Sequence, residues 1–170
     1  PVLSDSAASL LTDKLIKSGV HIEGLSTQFI HFIDSEDQLS VEEKSKAEKL
    51  LTYGANFDAL NINPQGQMFL VLPRFGTISP WSSKATDIFW NCGFKKVKRV
   101  ERGKAFYFQG EFNSDQKKEV ISFISDRMVE TVVTSFESVK KTFQEHLPKR
   151  FNSIDIISGG KSALEKANKE

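Results

Sequence analysis

The sequence predicts an α+β fold, a sheet with helices packed on one face. Two observations carry that expectation: short strand-like apolar runs alternate with helix-period stretches along most of the chain, and the runs between strands are short. A doubly wound parallel sheet fits such short connections less well.

Ser4 to Ser18 reads as the opening helix, because Ser4 and Ser6 can cap it, Leu11 and Leu15 share a face, and Gly19 stands at its end. After Glu23 and Gly24, the run Thr27 to Ile33 places Phe29, Ile30, Phe32 and Ile33 in a strand predicted to be covered on both faces. Ser40 and Glu43 form an S-x-x-E capping box ahead of the stripe Val41, Ala47, Leu50 and Leu51, with Gly54 as the stop. Phe57 to Gln67 reads as a loop into a buried strand, Met68 to Leu72. The loop Pro73 to Pro80 precedes a helix capped by Ser82 or Ser83, whose apolar positions Ala85, Ile88, Phe89 and Cys92 end at Gly93.

Val97 to Gln109 is extended. Its apolar positions change step between Val100 and Phe106, which predicts a bulge or bend at Gly103. Asn113 or Ser114 starts a helix running to Met128, Glu130 to Val133 is a short strand, and Phe136, Val139 and Phe143 mark a helix stripe. Ser153 to Ile157 reads as a last β-branched strand, with Gly159 and Gly160 breaking the chain before a helix-forming tail. The division is a domain over 1–150 and the start of a linker over 151–170. Strand, helix, strand, helix recurs faintly twice between Thr27 and Met128.

With 39% hydrophobic and 26% charged residues over 170 positions, the chain has a globular composition and can bury a core without metals or disulfides. Its single cysteine, Cys92, excludes an internal disulfide and a thiolate cluster, which points to a reducing, cytoplasmic home. Met68 to Pro73 is the longest apolar run and is too short to span a bilayer, so no membrane partner is expected. A net charge of +1 gives no general pull toward nucleic acid.

His21, His31 and His146 lack the spacing of a metal site, and His31 inside an apolar strand reads as structural. Gly159 and Gly160 precede a helix, but without a G-x-x-x-x-G-K or G-x-G-x-x-G pattern they do not make a phosphate loop. Lys95, Lys96, Lys98, Arg99, Arg102 and Lys104 run beside Phe94, Phe106, Tyr107 and Phe108. That combination supports a solvated or interdomain surface, with a single-stranded RNA-binding module over Phe94 to Phe108 as the alternative. The densest stretch is Pro73 to Lys84, a proline-bounded loop carrying Arg74, Trp81 and a run of hydroxyls. Such loops serve recognition or simply connect rigidly, and the residues alone leave both open.

The strings PRFGTISPWSSKATDI, NCG, VERGKAFYF and DRMVETV resemble the N-terminal domain of large, single-chain phosphoribosylformylglycinamidine synthase, over most of the chain beyond about Val20. The resemblance implies a PurS-dimer-like sheet of mostly antiparallel strands, two PurS-like copies in tandem. It implies a parent that uses glutamine and ATP, with magnesium, to convert formylglycinamide ribonucleotide to its amidine. The glutaminase triad and the ATP and magnesium ligands belong to other domains, so no catalytic, cofactor or metal residue is expected here and the chain alone is expected to be inactive. Its expected partners are the synthetase and glutaminase domains of the same polypeptide. The expected docking residues are Arg74, Thr77, Ser79, Trp81, Ser82, Ser83, Lys84 and Asp87, with Arg74 and Trp81 exposed when the partner is missing. The chain reads as an expressed fragment that ends inside the linker.

Overall fold

A four-stranded antiparallel sheet in the order β1-β3-β2-β4 organises the chain. The structure is a computed structural model that describes residues 1–53, 65–144 and 151–169. β1 (Gly24–Ser35) pairs along the length of β3 (Val97–Gln109), β2 (Gln67–Pro73) pairs with the far part of β3, and β4 (Glu130–Val133) lies against β2. Every pairing joins one of the first two strands to one of the last two. The two faintly similar halves therefore share a single sheet, and neither has one of its own.

Local signals set the helices. α1 (Asp5–Lys17) is capped by Ser4, whose hydroxyl accepts from Ala7 N, and Gly19 at φ 90° ends it. α2 (Val41–Leu51) has the Ser40–Glu43 capping box with both reciprocal bonds present. α3 (Pro80–Asn91) and α4 (Ser114–Ile124) follow, the latter with a reciprocal Asn113–Gln116 box. A 3-10 helix (Phe136–Phe143) and α5 (Ile156–Ala167) complete the described elements.

Period-two alternation divides the sheet. Phe69, Val71, Phe106 and Phe108 point to one face, where Leu15 of α1 and Val120 and Ile124 of α4 join them in a core cluster. Leu70, Leu72, Ala105 and Tyr107 point to the other, where Val139 and Phe143 of the 3-10 helix pack against them. A third cluster holds Ala47 of α2, Ala85 and Phe89 of α3, and Phe94, Val97 and Val100. Each large buried side chain contributes about 1.5–3 kcal/mol through removal from water.

Several expectations are corrected. β3 runs through Gly103 without a bulge, and the register shifts only between Asp34 and Ser35. Gly103 is there for space: a Cβ on it would lie 2.8 Å from Leu70 Cδ1, 3.0 Å from Leu72 Cδ2 and 3.2 Å from Phe32. β1 is an edge strand and only Thr27 on it is buried, so it is not covered on both faces. Val41 is 84% exposed and takes no part in the stripe of α2. Cys92 is the half-buried C-cap of α3, packed at the margin of a core cluster.

The tail differs more. Ser153 to Ile157 forms no strand, because Asp155 accepts from Ser158 N and starts α5, which kinks at Gly160 (φ 52°, ψ −143°). α5 buries none of its residues. The Gly54 stop, all but the end of the Phe57 to Gln67 loop, and His146 lie outside the described residues.

Candidate functional site

β2 stops pairing with β3 at Val71–Lys104, and β3 continues for seven more residues without it. The backbone groups of Val100 on that stretch need partners, since a buried peptide group left unpaired costs about 1–3 kcal/mol. Two side chains of α3 supply them: Ser82 Oγ donates to Val100 O at 2.6 Å, and Thr86 Oγ1 accepts from Val100 N at 3.0 Å. The start of α3 is therefore fastened to the sheet where a strand would otherwise run.

This fixes the cap. Ser79, not Ser82 or Ser83, caps α3, accepting from Ser82 N with Pro80 at the first turn. Ser82 has no exposed surface and its hydroxyl is committed to Val100 and Arg99, so it holds the loop instead of presenting itself for docking.

A buried ion pair locks the same region. Arg99 Nη2 lies 2.6 Å from Glu101 Oε2, with Glu101 completely buried in β3. The other guanidinium donors reach Ser82 Oγ (3.1 Å), Thr77 O (3.0 Å) and Thr142 O (3.0 Å). Glu101 Oε1 accepts from Ser79 Oγ at 2.7 Å and from Arg102 N at 3.0 Å. One planar cation thus ties together the docking loop, the first turn of α3, β3 and the 3-10 helix, a fork geometry that suits arginine. Glu101 did not enter the sequence reading of this site. The available signal was an Arg and a Glu two apart in a strand, which places them side by side on one face.

Between the Pro73–Trp81 loop and Met128–Glu130, an open cleft of about 550 Å³ is floored by Val71, Arg102 and Lys104. Of the expected docking residues, Arg74, Thr77, Ser79 and Trp81 line it. Ser83, Lys84 and Asp87 are exposed on α3 outside it. Trp81 is half-buried and not free as expected: its indole ring lies 5.5 Å from the ring of His31 and 4.9 Å from the Arg102 guanidinium, which also sits 4.3 Å over Phe29.

Arg102 Nη1 donates to the Tyr53 hydroxyl at 3.1 Å, and that hydroxyl is 2.8 Å from His31 Nε2. Burial, and then the adjacent Arg102 charge, push His31 down from 6.5 to about 4. The ring is therefore neutral at neutral pH, and its Nε2 shares a hydrogen bond with the same hydroxyl whose oxygen accepts from Arg102.

The aromatic residues of the basic run do not form a surface. Phe94, Phe106, Tyr107 and Phe108 are all buried, so the stacking platform needed by the RNA-binding alternative is part of the core. The cations are also separated. Lys96 pairs with Asp37 in solvent, Arg99 is partly buried against Glu101, and Lys104, paired with Glu130 at 2.6 Å, lines the cleft with Arg102. Among the described residues, no group of three His, Cys, Asp or Glu side chains comes close enough to hold a metal, and no helix is long and apolar enough to cross a membrane.

A family model described as formylglycinamide ribonucleotide amidotransferase N-terminal matches residues 28–143. That span takes in all four strands but the first residues of β1, the cleft, and the Arg99–Glu101 pair.

Proposed function

The chain belongs to the N-terminal domain family of formylglycinamide ribonucleotide amidotransferase, the glutamine-dependent synthase of purine biosynthesis, and on that premise we propose that it is a non-catalytic docking domain of that enzyme. It bridges the synthetase and glutaminase domains of the same polypeptide and helps shield the transfer of ammonia between them. ATP and magnesium serve the chemistry of those other domains.

The observation that supports this reading most directly is the contrast at the Pro73–Trp81 loop. Its frame is rigid, held by the buried Arg99–Glu101 pair, while Arg74, Thr77 and the side chain of Ile78 (63% exposed) are turned outward. A segment fixed from behind loses little conformational entropy on association, and Arg and Trp are the residue types that carry interface energy. The test is turnover of the full-length enzyme carrying Arg74→Ala or Trp81→Ala. Glutamine-dependent turnover is expected to fall, with a smaller loss when ammonia is supplied directly. Unchanged glutamine-dependent turnover in both variants would refute the docking role.

A further inference from the structure

The cleft has an uneven charge balance. Its lining holds three cations, Arg74, Arg102 and Lys104, against one carboxylate, Glu130, an excess of two positive charges in a chain whose net charge is +1. Glu130 is already used by Lys104, and among the described residues no carboxylate pairs with Arg74 or Arg102. Arg102 is held in place: its guanidinium lies over Phe29 and Trp81, and Tyr53 accepts from it. A cation ordered in advance gives up little side-chain freedom when an anion arrives.

The rim has the opposite character. Ile78, Met128 and Val129 are 63%, 71% and 60% exposed, and all three border the cleft. Exposed apolar side chains clustered about a charged concavity are a pattern of protein interfaces, where an apolar ring excludes water from a polar centre.

We propose that this cleft receives a carboxylate side chain carried on a partly apolar segment of the polypeptide beyond residues 1–170, with Arg102 and Lys104 meeting the carboxylate and Ile78, Met128 and Val129 covering the apolar part. The proposal rests on the docking reading and adds the chemistry of the docked segment. The volume of about 550 Å³ suits a few side chains and is small for a helix laid along the surface.

Zero-length coupling tests it. A water-soluble carbodiimide joins a lysine amine to a touching carboxylate as an amide, and the carbodiimide takes up the expelled water as a urea. In the full-length enzyme Lys104 is expected to couple to an Asp or Glu outside residues 1–170, with the product lost in Lys104→Arg, which keeps the charge but cannot couple. Peroxide oxidation of Met128, run on the same samples, reports whether this face is covered at all, and it is expected to slow at least several-fold relative to the 170-residue chain. If Met128 is protected while Lys104 couples only to Glu130 or to another carboxylate within residues 1–170, the carboxylate proposal is overturned and the docking reading stands. If Met128 oxidises equally fast in both proteins, both fall.

Discussion

Removing one member of the Arg99–Glu101 pair should be far more damaging than removing any surface charge. In Arg99→Met, Glu101 keeps its bonds from Ser79 Oγ and Arg102 N but loses its counter-charge at zero exposure, and Thr77 O and Thr142 O lose their donor. Breaking a buried ion pair from one side costs about 3–5 kcal/mol, against about 0–1 kcal/mol for an exposed one. For a chain of this length that corresponds to a fall of about 6–20 °C in Tm. The double variant Arg99→Met with Glu101→Leu should recover most of the loss, because no charge is then left buried. Arg99→Lys should recover little, since one ammonium cannot reach Ser82, Thr77, Thr142 and Glu101 together. Urea unfolding of the parent and these three variants, followed by far-ultraviolet circular dichroism, gives the comparison. A single-variant loss under about 1 kcal/mol, or a double variant no more stable than Arg99→Met, would refute the reasoning.

Three further outcomes are expected. Gly103→Val should destabilise by about 1–3 kcal/mol through overpacking against Leu70, Leu72 and Phe32, and a thermal melt within about 1 °C of the parent would show that the face can yield. His31 in the folded chain stays neutral down to about pH 4, whereas the unfolded ring takes a proton near 6.5, so the unfolded state binds more protons between those values. Its contribution is complete above pH 6.5 and is lost as the pH falls toward 4; His31→Gln should flatten that part of the stability profile, and parallel profiles would count against it. Replacing Lys95, Lys96 and Lys98 with Gln should change stability by no more than about 0.5 kcal/mol in urea titration, because all three are exposed and the Lys96–Asp37 pair is a solvent one.

The sequence by itself determined what depends on neighbours a few residues away. Ser4 capping α1, the Ser40–Glu43 box, Asn113 at the start of α4 and the extent of β3 were legible because caps and alternation act within one turn or one pleat. The motif strings likewise pointed to the family that residues 28–143 match. Tertiary structure decided the rest. Gly103 looked like a bend because the apolar step changes beside it, but its reason lies in Leu70 and Leu72 on a neighbouring strand. Ser82 looked like a cap or a docking hydroxyl, yet its role follows from where β2 stops and leaves Val100 needing an acceptor and a donor. The tail read as a strand from its β-branched residues, but among the described residues no neighbouring strand takes it up and the Asp155 cap gives a helix. The cleft could not be read at all, since Arg74, Trp81, Arg102 and Met128 meet only through the antiparallel pairing of β2 with β3 and β4. Caps and pleats are set by interactions over a few residues, whereas charge balance and burial depend on which distant segments the sheet brings together.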